Sequence, residues 1–143
     1  MSSRRTAIPA ELLEAYAQTE FHVFSDPPLV LRIGARNNAM QDLFARTGSS
    51  SAAFVTAWNP YSEPRTEAEN IRAQDQLMRE VHDAGYSHVP GEGRDPSGLW
   101  PGEASLLISG ISRPEAEALG QRYGQNAIVW VGSELVPELV LLR

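Results

Sequence analysis

Two signals stand back to back between residues 52 and 85, and together they restrict the fold more than any other stretch. AAFVTAW (52–58) is an unbroken apolar run of strand length, the pattern of a strand buried on both faces. After the loop NPYSEP, Thr66 and Glu69 form T-x-x-E. In that pattern a threonine hydroxyl and a glutamate carboxylate each satisfy a free backbone N–H at the start of a helix. The helix it opens is expected to carry Ile71, Gln74, Met78 and Val81 on its apolar stripe, with Leu77 and Ala84 beside it and Gly85 as its stop.

The same grammar recurs. Ser112, Pro114 and Glu115 mark a second capped helix that ends at Tyr123, with Gly124 as its stop. EASLLISGI (103–111), AIVWVG (127–132) and ELVLL (138–142) read as strands. Upstream, Pro9 to about Thr19 is a helix with Leu12, Leu13 and Tyr16 on one face. FHVF and LVLRI, joined by SDPP, suit a hairpin. Asn37 or Asn38 is placed to cap a short helix carrying Met40, Leu43 and Phe44, which Gly48 ends. Tyr86 to Trp100 is rich in glycine and proline, and reads as a long loop holding one strand at most. Hairpins mixed with helical crossovers predict an α+β fold: a mixed β-sheet with helices packed mainly on one face, with 52–132 as a ferredoxin-like or related split unit.

At 143 residues the expectation is a single globular domain over 1–143, with 1–7 loose. No apolar run reaches the roughly 20 residues of a membrane span, and MSSRRTAIPAELLEAY has no signal-peptide core. A cytoplasmic location and no membrane partner are expected. The net charge of −6 argues against general nucleic-acid binding. There is no cysteine, which excludes disulfides, thiolate catalysis and cysteine–zinc sites. All twelve basic residues are arginine, which excludes Schiff-base chemistry and a lysine-dependent phosphate loop. His22, His82 and His88 show no metal-ligand spacing, so no metal and no cofactor are expected.

TAWNPYS (56–62), the EN of TEAEN (69–70), GEGRDPSGLWPGEASLL (91–107) and YGQNAIVW (123–130) occur in an order that resembles the bacterial domain-of-unknown-function family numbered 3293. The resemblance runs over about residues 10–132. It implies a shared fold and a shared site, and supplies no reaction, substrate or cofactor.

The candidate ligand-binding residues are Trp58, Asn59, Arg65, Asn70, Trp100, Gln125 and Asn126. Trp58 and Asn59 end a strand just before a helix, where ligands bind in sheets with crossover helices; alternatively they only turn a corner. Asn70 sits one turn into its helix with no capping role, and is expected to lie partly buried and bonded to the 59–64 loop. Gln125 and Asn126 can bond a ligand's polar edge or neighbouring backbone. Glu92 and Glu103 are the candidate catalytic carboxylates. Three readings follow. One is a binding or regulatory module with an amide-lined cleft for a small polar ligand or nucleotide, floored by Trp58 and gated by 86–102. Another is a small hydrolase or transferase with a glutamate as general acid/base. The third is a protein-interaction domain using ELVLL as an open edge.

Overall fold

The computed structural model describes residues 6–143. In chain order the elements are α1 (Ala10–Gln18), β1 (Glu20–Val23), β2 (Leu29–Leu31), α2 (Met40–Thr47), β3 (Ala52–Val55), a 3-10 turn (Pro60–Ser62), α3 (Glu67–Asp83), β4 (Ser87–Arg94), β5 (Glu103–Ser109), α4 (Arg113–Arg122), β6 (Ala127–Val131) and β7 (Pro137–Leu141). Of the stretch expected to be loose, residues 1–5 lie outside the described residues. At its end, the Thr6 hydroxyl donates to the carbonyl of Arg143.

The seven strands form one sheet in the order β2-β1-β4-β5-β3-β6-β7. Every neighbouring pair is antiparallel. The protein is therefore α+β, as expected, but the sheet is not mixed. The reason lies in the crossovers. α3 carries the chain from β3 to β4, which run the same way but have β5 between them. α4 does the same from β5 to β6, across β3. Helical connections thus link parallel strands that never touch. At the two ends of the order, the Gly34 N–H donates to Pro137 O and the Asn37 N–H to Leu135 O, each at 2.8 Å. These bonds draw the β2 side toward the start of β7 and curl the sheet.

Alternation along the central strands divides the core in two. Phe54, Leu107 and Val129 face one way, with Phe21, Val23, Leu31 and the α2 residues Met40, Leu43 and Phe44. Ala53, Val55, Leu106, Ile108 and Ile128 face the other, under Leu77 and Val81 of α3 and Ala116 and Leu119 of α4. The two longest helices share one face, and α2 contributes to the other. This split is why AAFV of β3 is buried at every position.

Three local expectations are corrected. First, α3 is rotated: Asn70, Leu77 and Val81 are its buried residues, while Ile71 and Met78 are 46% and 41% exposed. The inward position near the N-terminus is taken by an amide with fixed partners, which turns Ile71 outward. Second, neither Asn37 nor Asn38 caps α2 with its side chain: Asn37 Nδ2 donates to Val30 O, and Asn38 Oδ1 accepts from Arg36. Third, 87–94 is not part of a gating loop but an eight-residue strand between β1 and β5. Its glycines hid it. A Cβ on Gly91 would lie 2.3 Å from the His22 carbonyl and 2.8 Å from the Phe54 ring. Glycine here marks close backbone approach, not a turn.

Candidate functional site

The chain leaves β3 through a rim whose backbone is held by side chains. The Thr56 hydroxyl donates to Ala104 O at 2.6 Å and accepts from the Trp58 N–H, while the Ala57 N–H donates to Gln74 Oε1. Asn59 and Asn70 then form a reciprocal pair: the Asn59 N–H donates to Asn70 Oδ1 at 2.9 Å, and Asn70 Nδ2 donates to Asn59 Oδ1 at 2.8 Å. Asn59 Oδ1 also accepts from the Arg65 N–H. One amide thus closes both ends of the 59–65 loop onto α3. Asn59, Tyr61 and Ser62 all have left-handed backbones, with φ of 42°, 57° and 61°. For a residue as bulky as tyrosine that conformation is a genuine outlier, costing about 1–3 kcal/mol.

The stretch after α4 forms the adjoining wall. Gly124 O accepts from the Tyr61 N–H at 2.7 Å. Gly124 has φ of +68°, and a Cβ there would lie 2.8 Å from the Pro60 ring, so glycine is required twice over. Gln125 Nε2 donates to the carbonyls of Trp58 and Tyr123. Asn126 Nδ2 donates to Ser62 Oγ and, at 3.4 Å, to Tyr16 Oη; its Oδ1 accepts from Arg143. The Arg143 guanidinium lies 4.6 Å from the centre of the Tyr61 ring.

Between this rim, α3 and the end of α4 lies an open cleft of about 450 Å³. Ala57, Pro60, Tyr61, Arg65, Ala73, Gln76, Glu80, Arg122, Tyr123 and Gly124 line it. Glu80 accepts from the Tyr123 hydroxyl at 3.1 Å and pairs with Arg122. Burial, and then the Glu80 charge, push the Tyr123 phenol up to about 12.

Trp58, Asn59, Asn70, Gln125 and Asn126 therefore come together at one rim. Asn70, Gln125 and Asn126 are buried there: Asn70 pairs with Asn59, Gln125 holds the carbonyls of Trp58 and Tyr123, and Asn126 holds the Ser62 hydroxyl. Of the sequence-selected residues, Arg65 is the one that lines the cleft. Glu92 and Trp100 lie elsewhere: Glu92 pairs with Arg94 at 2.8 Å on β4, and Trp100 ends the 95–100 turn that Asp95 organises. Tyr61, Gln76, Glu80, Arg122 and Tyr123 were not selected from the sequence. For Arg122 and Tyr123 a signal existed, since they directly precede the required Gly124.

Glu103 sits at the same rim. Asn59 Nδ2 donates to its Oε2 at 3.5 Å, and no ion pair reaches it among the described residues. Burial pushes its carboxyl up to about 7, against a smaller lowering by Asn59. Glu69 behaves oppositely. The Thr66 hydroxyl and backbone N–H hold its carboxyl below the usual range, completing the capping box. Thr66→Ala is expected to cost about 1 kcal/mol in urea unfolding; an unchanged midpoint would mean the box contributes nothing. Among the described residues no group of three or more His, Asp or Glu side chains is placed to hold a metal ion. Nor is any helix long and apolar enough to cross a membrane.

The class these features define is an α+β protein with interlocked strand–helix crossovers and an amide-braced rim beside an open cleft. The chain belongs to the family described as a protein of unknown function, DUF3293, which it matches over residues 55–128, just over half its length. That match spans the rim, α3, Glu103 and Gly124–Asn126. No curated protein and no solved structure matches the chain.

Proposed function

We propose that this protein is a binding or regulatory module that takes a small polar ligand, of nucleotide size or less, in the cleft between α3, α4 and the 57–65 loop. One observation carries the reading: a strained segment holds Tyr61 half-exposed, at 51%, in the lining of the cleft. Backbone strain persists only where surrounding contacts over-determine it, and it clusters at ligand sites. Here the contacts are Asn59, Asn70 and Gly124 O. In this reading the amides brace the wall, and Tyr61, Gln76, Arg65 and Tyr123 meet the ligand. A tyrosine face offers stacking to a planar ligand. We also read β3–α3–β4–β5–α4–β6 as a ferredoxin-like split unit, supported by its strand order.

The test is calorimetry or thermal shift across nucleotides, sugars and short oligonucleotides. Tyr61→Gly removes the ring and suits the left-handed backbone. Affinity is expected to fall about tenfold, roughly the loss of one stacking contact, with the melting temperature held within a few degrees. A melting temperature that no candidate shifts, or full affinity in the variant, would sink the reading.

A second reading, a hydrolase or transferase, is supported by Glu103. A carboxyl near 7 beside an amide donor is suited to proton transfer at neutral pH. It requires that a ligand reach Glu103 past Asn59. Glu103→Gln would then abolish turnover while leaving binding intact.

A further inference from the structure

The charge arrangement across the cleft says which end of a ligand it would hold. Resting on the binding reading above, we propose that the cleft recognises the phosphate of a phosphate-bearing ligand between Arg65 and Arg122, and that Glu80 occupies part of that position when the cleft is empty of ligand.

Glu80 projects from α3 to the end of α4. One carboxylate oxygen pairs with Arg122 and the other accepts from the Tyr123 hydroxyl. A guanidinium and a phenol O–H converging on one anionic group are the donors that a phosphate oxygen would use. The Arg122–Glu80 pair is solvent-exposed, with side chains 55% and 38% accessible. Such pairs contribute little to stability, so an incoming dianion can displace the carboxylate.

Arg65 supplies the second cation. Among the described residues it makes no ion pair. Glu69 lies within its electrostatic reach, but that carboxylate is engaged by Thr66. The backbone N–H of Arg65, not its side chain, is what Asn59 holds. Its guanidinium is therefore free to meet a ligand while its Cα stays fixed. Counting charged side chains on the cleft wall, two arginines face one glutamate, in a chain whose net charge is −6. The charged lining of the cleft is thus net positive by one, and arginine's planar fork matches phosphate geometry.

The experiment compares ribonucleoside 5′-monophosphates with the matching nucleosides, and adds inorganic phosphate as a competitor. It uses isothermal calorimetry at low ionic strength on the full chain and on Arg65→Gln and Glu80→Gln. The expected result has three parts. Monophosphates bind at least tenfold tighter than nucleosides. Glu80→Gln tightens monophosphate binding about threefold or more, because a resident competitor is removed. Arg65→Gln removes most of the monophosphate advantage without changing the melting temperature of the free protein. Equal affinity for nucleoside and monophosphate overturns the phosphate assignment and leaves the cleft reading standing, as does an advantage that survives in Arg65→Gln. If neither nucleosides, sugars nor phosphates bind, both fall together.

Discussion

Glu103→Gln is expected to make this protein more stable at pH 8, by up to about 3 kcal/mol, and to change its pH–stability profile between pH 4.5 and 7. The cause is the carboxyl raised by burial from its ordinary value near 4.5 to about 7. In that window the folded chain holds a proton that the unfolded chain has released. Stability falls wherever the folded state binds more protons and the pH rises. The Glu103 contribution is thus greatest below about pH 4.5, declines through about pH 7 and is flat above. At about 1.4 kcal/mol per pH unit, the window corresponds to about 3 kcal/mol. Glutamine has nearly the same shape, cannot ionise, and keeps an oxygen to accept from Asn59 Nδ2. The other shifted carboxylates, Glu20, Glu69, Asp95 and Glu115, are lowered rather than raised. They are common to both proteins and cancel in the difference. Urea unfolding of both chains at four or five pH values measures it. Parallel profiles from pH 4.5 to 8 would mean that Glu103 is not desolvated.

The second large effect is at the amide pair. Asn70→Ala is expected to cost about 2–4 kcal/mol. It leaves the Asn59 N–H without its acceptor, at about 1–3 kcal/mol, and removes one of the two donors to Asn59 Oδ1, at about 0.5–1.5 kcal/mol. The loss should also release the strained backbone of residues 59–62. Tyr61 then departs from the cleft, and ligand-induced shifts weaken in parallel with stability. A double-mutant cycle with Asn59→Gly separates the pair from its surroundings, since glycine keeps the left-handed φ of 42° and deletes the amide. Glycine keeps its backbone N–H, so the cycle isolates the bond from Asn70 Nδ2 to Asn59 Oδ1, and a coupling of about 0.5–1.5 kcal/mol is expected. Additive costs would show that the two asparagines act independently.

The parts of the fold legible in the sequence were those set by local chemistry. Thr66 and Glu69 form both halves of their capping box, and Ser112 caps α4 by accepting from the Glu115 N–H. What escaped was non-local. Glycine at 91 and proline at 90 look like loop residues until β1 is placed beside them, where the need for a bare Cα becomes plain. The phase of α3 differs from the apolar stripe of Ile71 and Met78 because Asn70, expected to be partly buried against the 59–64 loop, takes the inward position with partners across the rim. At the rim, residue identity pointed to Asn59, Asn70, Gln125 and Asn126. The bond of Asn70 to the 59–64 loop was legible too, while the partners of Gln125 and Asn126 depend on distances that only the folded sheet provides. Tyr61 gave no warning, because its importance lies in a backbone angle.

The reach of the family match bears on how the protein can be divided. Its first residue, Val55, is the last of β3, and its last, Ile128, is the second of β6. Ala52–Phe54, outside the match, pair with β5 on one side and β6 on the other. What relatives share as recognisable text is therefore shorter than what hydrogen-bonding closes into a ladder. A fragment trimmed to the shared text would lack most of the middle rung of its own sheet.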